Sequence, residues 1–178
     1  TSLALGGGAA LLALFVCWET RTPAPMLPMR FFRSRVFTAG ALACLAMYAA
    51  VFGALFLITQ LLQAGTGATP AQAGLRTLPM AVMPLLLAPA GGVITDRIGF
   101  RPLMICGLAL ESVALGWLAA VVTPDVPYGL LVAPLALAGA GVAVFFAPLA
   151  TAMLSAVTPE EQGQASGAAT AIRELAVV

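Results

Sequence analysis

The sequence predicts an all-α, polytopic membrane protein, and three observations carry that prediction. Of 178 residues, 61% are hydrophobic and 8% charged, with a mean hydropathy of +1.04. A soluble domain averages roughly 25% charged residues, so most of this chain cannot face water. Its apolar residues run in stretches of about 20, the length a helix needs to cross a bilayer. Barrel strands are shorter and alternate in polarity, which these stretches do not. A soluble globular domain, a disordered tail and a secreted disulfide scaffold are excluded. The net charge of +1 comes without a basic patch, so nothing points to a nucleic-acid partner.

Six segments follow from the apolar runs. Residues 2–18 read as a truncated transmembrane linker helix. Residues 19–37 form the longest loop, a cytoplasmic amphipathic stretch that interleaves Phe, Met and Arg. Residues 38–178 form an incomplete helical bundle with spans near 38–62, 70–95, 102–122, 129–157 and 160–178. The chain opens on Thr1 rather than Met and runs apolar to Val178. It is therefore expected to be an internal piece of a longer protein, without a leader-peptide pattern at its start.

Each span carries its own signals. In 38–62 and just beyond, Tyr48, Phe52, Phe56, Thr59, Gln60 and Gln63 fall on overlapping helical faces. An aromatic wall ending in amides suits an amphipathic ligand; the alternative turns the Phe residues to lipid. Gln60 is the first of the set expected to face a cavity. The 70–95 span opens on Thr69-Pro70-Ala71-Gln72, a capping box with Pro in the first turn. Pro79, Pro84 and Pro89 each remove a helix hydrogen bond and predict a bend. Arg76 lies about one and a half turns past the cap. It either snorkels outward or gates the outer mouth.

The 129–157 span carries Gly139, Gly141 and Pro148, for which close packing is the simple explanation. The last span follows a second capping box, Thr158-Pro159-Glu160-Glu161. Within it, Ser166, Thr170 and Arg173 share a polar stripe, while Gly163, Gly167 and Ala171 form a small-residue ridge suited to tight packing. Arg173 and Glu174 are adjacent, so they are not expected to face each other as one simple salt bridge. Cavity-lining and structural roles both stand for this pair.

Arginine placement sets the orientation. Arg21, Arg30, Arg33 and Arg35 lie in the first loop and Arg97 and Arg101 in the third, against Arg76 alone near the second. The positive-inside bias puts the 19–37 and 96–101 loops in the cytoplasm.

Ionisable groups at membrane depth are costly unless they face protein or water. Glu111 lies about 13–14 Å into its span, close to the midplane of a ~30 Å core. Its face includes Gly107 and Ala114. It is either a proton or cation site or a carboxyl satisfied by a neighbouring helix. Cys17, Cys44 and Cys106 sit in separate apolar runs without a CxxC, so neither disulfide nor zinc is indicated. The absence of His removes the commonest proton shuttle and metal ligand.

The most specific motif joins the 70–95 and 102–122 spans: Gly92, Asp96, Arg97, Gly99 and Arg101 in a G-x-x-x-D-R-x-G-x-R pattern. Gly99 is expected to supply a positive φ, Gly92 a close helix approach, and Asp96 a favourable charge at the start of the next helix. Arg97 and Arg101 can pair with carboxylates on neighbouring helices. Such a cluster holds one conformation closed and releases it in another.

This pattern resembles the signature cytoplasmic loop of the major facilitator superfamily. Pro25-Met26-Leu27-Pro28-Met29-Arg30-Phe31-Phe32-Arg33, Gln72-Ala73-Gly74-Leu75-Arg76-Thr77-Leu78-Pro79, the 92–101 loop and Pro159-Glu160-Glu161-Gln162-Gly163-Gln164-Ala165-Ser166-Gly167 occur in family order. Together they resemble the 14-span drug:proton antiporter branch, the multidrug-efflux transporters of the QacA and EmrB type. The resemblance implies two six-helix bundles around a central cavity, with alternating access by rocking. The six segments would be its eighth through thirteenth spans.

By the same resemblance, drug-like amphipathic molecules leave a bacterial cell across the inner membrane, driven by the proton gradient and without a cofactor. The partners implied are the lipid bilayer, a small-molecule substrate, and the N-terminal bundle and final helix of the parent chain. The 92–101 cluster would be the conformational latch. A metabolite uniporter or symporter of the same superfamily and a non-functional truncated fragment are the rival readings. A membrane-embedded enzyme would need a His, Asp or Ser/Lys cluster that the sequence does not show.

Overall fold

In a computed structural model of the chain, the described residues are 6–8, 14, 17, 18, 33–123, 126–155, 158 and 161–175. Their elements are α1 (Arg35–Gln60), a π-helical turn (Leu61–Gly65), α2 (Pro70–Ile98), α3 (Phe100–Val121), α4 (Tyr128–Leu154) and α5 (Gln162–Leu175). The protein is all-α, and the segments 35–65, 70–98, 100–121 and 128–153 are each long and apolar enough to cross a membrane. Most of the linker helix expected over 2–18 and most of the 19–37 loop lie outside the described residues; within 2–18, residues 6–8, 14, 17 and 18 are helical.

Local sequence fixes the helix starts. Ser34 Oγ accepts from Phe37 N–H at 3.4 Å, so α1 begins at Arg35, a few residues before the apolar run suggested. The Thr69 box forms as expected: Thr69 Oγ1 accepts from Gln72 N–H at 3.3 Å, and Gln72 Oε1 accepts from Thr69 N–H at 3.0 Å. At the second box, Glu161 Oε2 accepts from Thr158 N–H at 3.3 Å. The α2 helix continues through Pro79, Pro84 and Pro89.

The α4 helix is the hub, with α2 and α3 packed along it. It is apolar nearly all round, so its sequence carries no polar face. Glycines make the approach possible. A Cβ added at Gly107 of α3 would stand 2.7 Å from Phe145 N of α4, and one at Gly139 of α4 would collide with the Met80 carbonyl of α2. The tight packing expected of Gly139 and Gly141 is present.

Two apolar cores lie along α4. One joins α1 and α5 to α4 through Phe37, Cys44, Met47, Phe145, Leu149, Met153, Ala165 and Ala168. The other joins the end of α1 to α2, α3 and α4 through Ile58, Leu62, Ala73, Met80, Ala114, Leu118, Leu131 and Leu135.

Two expectations about small residues are corrected. Gly92 is exposed with open space around it; the glycine pressed against α4 is Gly91, where a Cβ would stand 2.7 Å from Ala147 Cβ. One residue is about 100° around a helix, enough to exchange the packed for the open side. The expected Gly163, Gly167 and Ala171 ridge is exposed as well. Ala165 and Ala168 supply the packed face of α5 instead.

Candidate functional site

The polar stripe of α5 meets the aromatic face of α1 across the end of α4. A cavity of about 150 Å³ opens there, lined by Cys44 and Tyr48 of α1, Phe146, Leu149 and Met153 of α4, and Ser166, Thr170 and Arg173 of α5, among others. Tyr48 stacks on Phe52 with ring centroids 5.9 Å apart and tilts against Phe146 at 4.7 Å. Phe146 in turn meets Phe145 edge-on at 5.2 Å. Such aromatic contacts hold the ring of Tyr48 in one orientation. The Arg173 guanidinium faces the Tyr48 hydroxyl and interacts with it. The result is an apolar, aromatic cavity with a single cation at its edge. It can receive a flat or branched apolar group and orient a polar one.

Arg173 also pairs with Glu174, Nη2 to Oε1 at 3.3 Å, contrary to the expectation drawn from helical spacing. Adjacent Cα positions diverge, but an Arg side chain is long enough to fold back to its neighbour. With both side chains exposed, at 46% and 67%, this pair adds little stability.

Other expected cavity residues lie elsewhere. Gln60 ends α1 and is exposed, and Gln63 sits half-buried in the π-helical turn. Neither lines the Tyr48 cavity. A larger cavity of about 450 Å³ between α1 and α3 is lined by Ala, Gly, Leu, Ile and Val alone.

Arg76 makes a specific set of contacts. Its Nη1 donates to Thr66 Oγ1 at 3.1 Å, and its guanidinium lies 5.8 Å from the Tyr128 ring centroid. It thus ties the turn after α1 to the start of α4. Thr66 Oγ1 donates onward to the Leu62 carbonyl at 2.7 Å.

The G-x-x-x-D-R-x-G-x-R motif forms the opposite end of the α2–α3 pair. Gly99 alone separates the helices, at φ 84° and ψ 168°, a region open essentially to glycine. Its N–H donates to the Thr95 carbonyl at 2.9 Å. Asp96, expected as a favourable charge at the start of the next helix, is not that helix's cap residue. It belongs to the last turn of α2, while Gly99 occupies the cap of α3 without a side-chain hydrogen bond. Asp96, Arg97 and Arg101 are exposed, and among the described residues none of them is ion-paired. Arg101 lies 6.0 Å from the Phe100 ring centroid. It shares the lining of a cavity of about 350 Å³ with Arg35, so basic groups from the first turns of α1 and α3 lie at this end of the bundle.

Glu111 is 3% exposed on the α3 face that packs against α4. A Cβ added at Gly141 would stand 3.2 Å from its Oε2, so the carboxyl lies against the backbone of α4. Among the described residues, both carboxyl oxygens lack a hydrogen-bond partner.

The sequence pattern of the Major Facilitator Superfamily matches residues 9–178. The chain belongs to this superfamily. It is 33% identical over 165 residues to the multidrug export protein EmrB of Escherichia coli K12, covering 93% of the chain and 32% of EmrB. It is 33% identical over 175 residues to the multidrug resistance protein Stp of Mycobacterium tuberculosis, covering 98% of the chain and 32% of Stp. The fatty acid resistance protein FarB of Neisseria gonorrhoeae is 32% identical over 144 residues, covering 81% of the chain and 28% of FarB. The chain thus spans about a third of the length of the curated relatives it matches. The relatives are transporters, which sets the membrane-enzyme reading aside and makes this chain part of a multi-pass membrane protein.

Sequence reasoning had singled out Tyr48 and Arg173 separately. It missed Cys44, Phe146 and Met153 of the same cavity, and Thr66 as the partner of Arg76. No periodic signal marked the α4 residues, because a helix apolar nearly all round has no polar face to orient it.

Proposed function

We propose that the chain is the greater part of the second helical bundle of a bacterial inner-membrane exporter. It moves amphipathic, drug-like small molecules by alternating access. The observation that carries this reading is the cavity in which Tyr48, Phe146 and Arg173 meet. Its aromatic walls accept varied apolar bodies, and one cation at the edge accepts varied polar ends. The likeness to EmrB and Stp supports export, and the reading takes the proton gradient as its driving force. The 19–37 and 96–101 loops face the cytoplasm.

The Asp96, Arg97 and Arg101 cluster acts as the latch. Its charges are exposed at the tight Gly99 turn and take partners from helices outside this chain, in one conformation and not the other. The remaining N-terminal bundle and the final helix complete the cavity. A second substrate class, amphipathic organic anions, is favoured by Arg173 at the cavity edge and by the likeness to FarB.

The test uses the full-length transporter in an efflux-deficient bacterium, following accumulation of a lipophilic cationic dye and of a medium-chain fatty acid. Export lowers accumulation, and a protonophore abolishes the difference. Asp96→Asn abolishes it as well if the latch reading holds. No lowering for either compound would sink the drug-export reading and leave a narrow metabolite carrier.

A further inference from the structure

Glu111 is the one buried acid among the described residues, and its surroundings come from this chain itself. Both oxygens are sealed between α3 and α4, so no helix outside the chain reaches them while the pair is closed. Gly107 and Gly141 bring the two helices together around it. A Cβ at Gly141 would stand 2.8 Å from Glu111 N and 3.0 Å from the Gly107 carbonyl oxygen. The contact is backbone against backbone, without space for a counter-ion.

Among the described residues, no charged group faces the carboxyl from any packed element. The α4 helix has a single titratable side chain, Tyr128, at its first residue. The α3 helix adds Arg101, exposed in its first turn, and the exposed Cys106. The α2 helix brings Arg76, Asp96 and Arg97 near its ends, and α1 brings Arg35, Cys44 and Tyr48. None of these is hydrogen-bonded or ion-paired to Glu111. An uncompensated charge in such a place is far costlier than the neutral acid.

We propose that Glu111 is a proton-binding site inside the α3–α4 interface, protonated while the helices are packed as described and exchanging its proton only when they part. The chemistry is a single proton transfer: the carboxylic O–H breaks, water takes the proton, and the carboxylate stays hydrated until the interface recloses. This inference rests on the exporter reading only for its purpose, since parting of α3 and α4 during transport would couple proton release to the cycle. The site itself is a property of this packing.

Infrared spectroscopy of the full-length transporter in lipid vesicles tests it. At neutral pH, where exposed carboxylates are ionised, the wild-type protein should show a protonated-carboxyl C=O band that Glu111→Gln removes. In D2O that band should shift slowly at rest and faster with transported dye present. Identical wild-type and Glu111→Gln spectra at every pH would overturn the proposal, and so would a band that shifts at once on contact with D2O. If Glu111→Gln does not reach the membrane, Glu111→Asp serves instead. It keeps the acid in a new position, and an unmoved band would overturn the assignment. Dye efflux by wild type in the same vesicles separates the two readings. The band present without efflux sinks export alone; efflux without the band sinks Glu111 alone.

Discussion

Arg76 Nη1 donates to Thr66 Oγ1 at 3.1 Å while its guanidinium lies 5.8 Å from the Tyr128 ring. One side chain of α2 thus holds the turn that ends α1 and the residue that starts α4. Outward snorkelling alone would give no such set of partners. The contact resembles a clamp at the end of the bundle opposite Gly99. Arg76→Ala should loosen the Thr66 turn, since a hydrogen bond and a cation–π contact at a partly exposed site contribute together about 1 kcal/mol. Amide hydrogen exchange at residues 66–69 should quicken about fivefold, and an unchanged rate would show that the turn stands without the clamp.

Glycines on the inner faces should be intolerant where those on the outer faces are not. Gly107→Ala puts a methyl 2.7 Å from the Phe145 backbone N, which cannot move without α4 moving. Overpacking of this kind costs about 1–3 kcal/mol. Gly92→Ala meets open space and should leave the thermal midpoint of the detergent-solubilised transporter where it was, while Gly107→Ala lowers it. Equal midpoints for the two variants would contradict the packing of α3 on α4.

The Gly99 turn should be separable from the charges around it. At φ 84° and ψ 168°, Gly99→Ala strains the backbone by about 1–3 kcal/mol, and the thermal midpoint should fall. Asp96→Asn touches no ion pair among the described residues, so the midpoint should hold while dye efflux falls. A falling midpoint in Asp96→Asn would make Asp96 a structural residue rather than part of a latch.

Tyr48 should set substrate preference. Its ring lines the cavity, and one aromatic contact to a bound dye is worth about 0.5–1.5 kcal/mol, so Tyr48→Ala should weaken apparent dye affinity about two- to tenfold. Tyr48→Phe keeps the stack and removes the hydroxyl that faces Arg173, and should alter polar substrates more than apolar ones. Gln60→Ala and Gln63→Ala lie outside this cavity and should leave dye efflux near wild type. A greater loss in the Gln variants than in Tyr48→Ala would move the substrate site toward the end of α1.

Membrane class, helix succession and much of the punctuation were legible in the sequence, because these depend on neighbours in the chain. Hydropathy over about 20 residues decides what enters a bilayer. Ser, Thr, Pro and Gln at fixed offsets decide where helices start, as at Thr69 and Gln72. Gly99 was legible for the same reason, since a one-residue turn demands a conformation that a Cβ resists.

What faces what was decided by the tertiary structure. Gly91 rather than Gly92 meets Ala147, and Ala165 and Ala168 rather than Gly163 and Gly167 meet the core. An apolar helix in an apolar solvent has no polar side to fix its rotation, so only shape against its neighbours chooses the face. The meeting of Tyr48 with Arg173, the reach of Arg76 to Thr66, and the sealing of Glu111 over Gly141 each depend on how separate elements pack, not on neighbours within one helix. Close packing of those helices around α4 sets each of them.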